Sequence, residues 1–189
     1  MAIREWLRQL AAGIAKLGMV RPPEYQYVSI EDYVQDRGTV FKGGARSLTT
    51  EEKAVLAIAR IGQRGSKSKQ CFYNSQMLVV ADTSRQLIYH EGYACGDVGF
   101  PLHHGWVVLN GNVIDPTWAL GAAGEPVWAK VPPTWEYCGV AFETEALYER
   151  MLALGFAGTL LDDYHNHFPL LKEPRLNPVP VLSEEMTCG

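Results

Sequence analysis

Residues 102–118 read LHHGWVVLNGNVIDPTW, and the fold turns on how this stretch pairs with itself. Val107-Val108-Leu109 and Val113-Ile114 are β-branched or apolar runs on either side of Asn110-Gly111, the strongest short signal for a two-residue hairpin turn. With that turn, Leu109 pairs with Asn112, Val107 with Ile114 and Trp106 with Asp115. Side chains alternate along a strand, so His104, Trp106, Val113 and Asp115 share one face. His104 and Asp115 are then diagonal neighbours with backbones roughly 7–8 Å apart, a gap two polar side chains bridge. Adding one residue to the turn would send Asp115 to the other face. A histidine oriented by a carboxylate is two-thirds of a nucleophilic triad, so the rest of the chain is searched for a nucleophile.

The chain has 189 residues, is 47% apolar and carries a net charge of −4. These values describe one ordinary domain with a real core and give no global basic character for nucleic acid. No run approaches the roughly 18 apolar residues of a membrane span. Charges interrupt the first 18 residues where a signal peptide needs an unbroken apolar stretch, so a cytoplasmic protein is expected. The four cysteines, Cys71, Cys95, Cys138 and Cys188, follow no metal-ligand spacing and are expected as free thiols. No metal or other cofactor is expected.

Outward from the hairpin, Leu87 to Ala94 alternates as a strand, with Tyr89, Glu91 and Tyr93 on one side. Ile3, Trp6, Leu7, Leu10, Ile14 and Leu17 mark an amphipathic helix over 2–17 that ends at Gly18. Docking on the body of the protein is its ordinary use; contact with a partner or a second copy is the alternative. Ser29 with Asp32 caps a short helix, and Lys42-Gly43-Gly44 is a turn. Thr49 and Glu52 form a capping box ahead of a helix over 50–61, apolar on nearly all sides and therefore expected to be buried. Cys71 to Ala81 is a further helix. Residues 119–135 read as an irregular connection, Thr144 caps a last helix ended by Gly155, and the proline-rich tail from Pro169 reads as extended or disordered. The expectation is a single domain, with a helical N-terminal extension over 1–60, a core over 61–168 and a tail over 169–189.

Cys71 is the cysteine best placed for chemistry. It starts a helix, where free backbone N–H groups and the dipole favour a thiolate and could form an oxyanion hole. Arg64, Lys67 and Lys69 lie just before it. That basic loop is weak ground for phosphate or nucleic-acid binding, and its effect on the thiolate is the more economical use. The plain alternative for Cys71 is a small buried hydrophobe at a helix start.

A cysteine at a helix start, a strand, a histidine–aromatic strand and Asp-Pro-Thr on the next form an ordered set. Here the set is KQCFYN (69–74), YHEGY (89–93), His104-Gly105-Trp106 and Asp115-Pro116-Thr117-Trp118. It resembles the transglutaminase-like branch of the papain-like cysteine enzymes, and among them small bacterial and phage proteins of mostly unassigned substrate. The likeness covers residues 69–118, fits the Cys138 region loosely and leaves 1–60 out. It implies Cys71 as nucleophile, His104 as general base and acid, and Asp115 as orienting carboxylate. Gly105 stands where such proteins more often carry alanine, a change read as harmless. His103 points away from Asp115 and takes a structural or rim role.

Gln70, Asn74, Glu91 and Trp106 are further candidates for substrate binding. Asn74 either holds the loop before Cys71 or sits on the helix surface; Glu91 and His90 either shape the site or are ordinary cross-strand residues. Trp106, Trp118, Trp128 and Trp135 could line a groove, with at least half expected in the core. Asp162, Asp163, His165 and His167 suggest a metal site, but the plainer reading is a solvated turn. The expected fold is α+β, with a transglutaminase-like or papain-like core in which a cysteine-bearing central helix packs on an antiparallel sheet of four or five strands. The expected activity is cofactor-independent acyl transfer on a peptide, protein or small amide, as a peptidase, amidase, deamidase or transglutaminase. The alternative is a catalytically silent binding protein that sequesters a host factor on the same fold.

Overall fold

A computed structural model describes residues 2–18, 22–43, 47–63, 69–97, 99–118, 131–155 and 157–176. Helices α1 (Ile3–Lys16) and α2 (Ile30–Arg37) precede strand β1 (Thr39–Lys42); α3 (Thr50–Gln63) and α4 (Cys71–Ala81) follow. Strands β2 (Ile88–Cys95), β3 (Leu102–Leu109), β4 (Asn112–Ile114) and β5 (Glu136–Phe142) come next, then α5 (Thr144–Leu154). The fold is α+β. The five strands form one antiparallel sheet in the order β1-β5-β2-β3-β4, curled so that β1 and β4 touch.

Strand alternation gives the sheet two apolar faces. On the outer face Tyr89, Val107, Leu109 and Ile114 pack against Leu56 of α3, Leu78 and Val79 of α4 and Leu147 of α5. Further along the same face, Tyr93, Cys138 and Val140 pack against Ile3 and Leu7 of α1 and Val34 of α2. Ile3, Trp6 and Leu7, the first part of the apolar stripe of α1, are thus docked on the protein's own body, while Leu17 is largely exposed. The inner face, inside the curl, holds Ala94, Trp106, Val108, Val113 and Tyr137 with Val131 and Trp135. Gly139 makes that packing possible: a Cβ there would lie 2.4 Å from Trp106 Cη2 and 2.5 Å from the Glu91 carbonyl oxygen.

Several sequence expectations change. Strand β1 lies in a region expected to be helical and pairs with β5. Helix α3 is not buried all round: Glu52, Leu56 and Ala59 face inward, while Ile58 is 56% exposed. Thr144 begins α5 as its first residue; Glu143 stands at the cap position and makes no side-chain cap bond. The segment after Pro169 is not loose up to Leu176. Pro169–Lys172 is a 3-10 turn with Leu171 buried, Arg175 forms a two-pronged bond with Asp32, and Arg37 donates to the Pro174 carbonyl. Gly105 is not a free choice either, since a Cβ there would meet Tyr89 Oη at 2.9 Å and Phe72 Cδ1 at 3.0 Å. Other expectations on 64–68, 119–130 and 177–189, including Trp128 and Cys188, lie outside the described residues.

Candidate active site

The β3–β4 hairpin turns at Asn110 (φ 48°) and Gly111 (φ 81°), the paired positive φ values of a type I′ turn. Its register is Leu109 with Asn112 and Val107 with Ile114, as the turn dipeptide requires. Strand β4 ends at Ile114, and the chain bends back over Asp115 through Pro116–Trp118. Asp115 Oδ1 accepts the N–H groups of Thr117 and Trp118, each at 2.9 Å. Its Oδ2 lies 2.8 Å from His104 Nε2 and accepts from the Tyr137 hydroxyl at 3.0 Å. A carboxylate only accepts, so Nε2 carries the proton and Nδ1 is the ring nitrogen left for other work.

Both groups are sealed from water, Asp115 at 0% and His104 at 1% exposure. Burial opposes a charged imidazole, but the charge and hydrogen bond of Asp115, with the adjoining Cys71 thiol adding to them, carry His104 up to about 9. Burial likewise opposes the Asp115 anion; the charge and hydrogen bond of His104 and the two backbone N–H groups hold its carboxyl below the ordinary value. Trp118 stacks on the His104 ring, with centroids 4.0 Å apart and planes 25° apart.

Cys71 is the first residue of α4 and half-buried. Two side chains tie its helix start to the strands that carry the other members. Asn74 Nδ2 donates to Thr117 Oγ1 at 2.8 Å, and Ser75 Oγ donates to the Gly105 carbonyl at 2.8 Å. The first link reaches the turn after Asp115, and the second reaches the residue after His104. Cys71, His104 and Asp115, placed by sequence on three elements, are therefore drawn to one place.

The remaining candidates do different things. Gln70 is exposed; it stands at the cap position of α4, and its carbonyl accepts from the Asn74 N–H at 2.9 Å. Asn74 is fully buried, so it is not a helix-surface residue, and its side chain reaches Thr117. Trp106 is fully buried inside the curl and lines no groove. Glu91 is fully buried on the outer face, where its oxygens meet Tyr89 Oη, His103 Nε2, Thr159 Oγ1 and the N–H groups of Leu160 and Leu161. It binds protein, not substrate. His103, as alternation requires, points away from Asp115 and rests against Phe72 and Tyr93. His90 is buried between Phe41 and Trp106, and burial pushes it down to about 4 despite a hydrogen bond to the Ile88 carbonyl.

Three contributors are new to the sequence reading: Tyr137 as a donor to Asp115, Thr117 as the anchor of the cysteine helix, and Trp118 as the lid on His104. Thr117 and Trp118 left a trace, as the threonine of Asp-Pro-Thr and the residue after it; Tyr137 left none. In 162–167, Asp163 is not solvated but 3% exposed, bonded to Asn166 and paired with Arg150. Among the described residues no three His, Cys, Asp or Glu side chains are grouped to hold a metal ion, and no helix is long and apolar enough to cross a membrane. Comparison with known protein families, curated proteins and solved structures finds no match.

Proposed function

We propose that this chain is a cysteine-nucleophile acyl-transfer enzyme acting on an amide, with Cys71, His104 and Asp115 as its triad. The observation that carries the reading is the sealed 2.8 Å His104–Asp115 bond, which leaves Nδ1 to the thiol at the start of α4. The order of cysteine helix, strand, histidine strand and aspartate also supports a transglutaminase-like core. Cys71 Sγ attacks the amide carbonyl carbon, giving a tetrahedral intermediate. Its C–N bond breaks as His104 passes its proton to the departing amine, leaving a thioester. Water or a second amine then attacks the thioester while His104 takes the proton from the incoming group, and the C–S bond breaks. Asp115 keeps the ring in one tautomer and one orientation throughout. Free Cys71, Cys95 and Cys138 fit work in a reducing compartment such as the cytoplasm.

The test is site-resolved alkylation by iodoacetamide, with half-buried Cys95 as the internal reference. Cys71 is expected to react faster than Cys95 at neutral pH, and His104→Ala should slow Cys71 at least about tenfold while leaving Cys95 unchanged. Equal Cys71 rates in the two chains would overturn the triad and favour a silent binding protein.

A further inference from the structure

Gly96, Asp97, Thr117, Trp118 and Trp135 line a cavity of about 300 Å³ that shares a wall with the triad, because Trp118 both borders it and stacks on His104. Thr117, also in its lining, is the residue that anchors the cysteine helix through Asn74. The two indoles meet edge to face, with centroids 5.7 Å apart and planes 89° apart, so they form adjacent walls. Trp135 Nε1 donates to Asp97 Oδ1 at 2.8 Å, which fixes the exposed carboxylate at the same place. Among the described residues, the lining includes one negative side chain and no positive one.

We propose that this cavity is a subsite for a positively charged group carried on the amine side of the substrate. The inference rests on the acyl-transfer reading, in which His104 protonates the departing amine. Trp118 covers that histidine, so the amine leaves or arrives beside the cavity. Indole faces attract a cation through the ring quadrupole, and a fixed carboxylate adds a charge-assisted contact. The volume suits an alkylammonium or guanidinium group. A diamine qualifies, as does a peptide with lysine or arginine just after the scissile bond.

Three chloroacetamides, each with the same five-methylene spacer before its end group, test the proposal, built on cadaverine (cationic end), hexylamine (neutral end) and 6-aminohexanoate (anionic end). In each, Cys71 Sγ bonds to the methylene carbon and chloride leaves. The cationic reagent is expected to alkylate Cys71 about tenfold faster than the neutral one, with the anionic one slower still. Asp97→Asn retains an acceptor for Trp135 Nε1 and removes the charge, and should bring the cationic-to-neutral ratio to about one. A preference that survives Asp97→Asn would overturn the proposal, as would equal rates for all three reagents in the unmodified chain.

A second readout separates this proposal from the triad. Cadaverine, but not 1,5-pentanediol, should shift the Trp135 indole N–H resonance, and Asp97→Asn should abolish that shift. If Cys71 proves inert while cadaverine still shifts Trp135, the triad fails and the cation subsite stands. If cadaverine shifts nothing, the subsite fails whatever Cys71 does.

Discussion

His103 and His104 are neighbours on β3, and each holds a fully buried carboxylate, Glu91 at 3.0 Å and Asp115 at 2.8 Å. The pairs have like chemistry and lie on opposite faces of one strand, yet they do unlike things. Glu91 receives three of its donors from Thr159, Leu160 and Leu161, so it fastens a distant segment to the outer face. Asp115 receives two from its own following turn and then meets His104 and Tyr137, so it is fixed locally and spends its remaining oxygen on an imidazole. His103 keeps a quarter of its side-chain surface in water; His104 keeps almost none. A His–carboxylate pair is therefore not in itself a catalytic sign. What distinguishes His104 is a carboxylate held mainly by its own following turn, with Tyr137 as its one donor from another strand, and a thiol beside the ring.

The comparison breaks most visibly at Glu91. Glu91→Ala strands several buried donors at once and should cost about 3–5 kcal/mol in urea unfolding. Glu91→Gln keeps one accepting oxygen and should cost less. If Glu91→Ala proved no more costly than an ordinary surface change, the fastening role would be gone.

Next comes pH. His104 is raised from 6.5 to about 9, so its contribution to stability is complete below pH 6.5 and is lost as pH climbs through 9. His90 is lowered from 6.5 to about 4, so the unfolded chain takes up that proton first and stability falls as pH drops from 6.5 towards 4. Each limb is worth on the order of 3 kcal/mol, placing the maximum from these two groups near pH 6.5. His104→Gln should flatten the alkaline limb and His90→Phe the acid one in urea melts across pH.

Smaller effects sharpen the contrast on the side that faces Cys71. Asp115→Asn should slow Cys71 alkylation at neutral pH about tenfold by releasing the ring from its orientation. His103→Ala should change that rate less than about twofold because its ring lies on the face away from Asp115, and it should cost less than Glu91→Ala because Glu91 keeps its donors from Tyr89, Thr159, Leu160 and Leu161. Similar alkylation rates for the two variants would erase the distinction between the pairs.

Much of the inner site was legible because it is local. Asn110-Gly111 sets the register, alternation sets the faces, and His104 and Asp115 follow within a dozen residues of each other. Cys71 at a helix start was legible from the polar loop before an apolar run. The outer site was not, because Glu91 takes its meaning from residues 159–161, which no local period connects to β2. Tyr137 stayed hidden for the same reason. Strand β1 is only four residues, TVFK, and pairs with a segment far away in sequence. Helix α3 misled because Ala54, Ala57 and Ile58 lie on its outer side without marking which face was inward. The ordered part of the tail misled because proline content hides what Arg175 does with Asp32.

The pairing of Thr39 with Gly139 also bears on how the molecule comes into being. On a ribosome, β1 emerges long before the strand that covers its edge. Closing so large a loop delays the contact, and topologies rich in distant pairings fold slowly. The β3–β4 hairpin closes within a few residues and can form early, bringing His104 and Asp115 into register. Tyr137 reaches Asp115 only when β5 arrives between β1 and β2. A nascent chain stopped before Glu136 would hold the imidazole and its carboxylate without the strand that walls them from water, and its thiol should react as an ordinary one until synthesis passes that point.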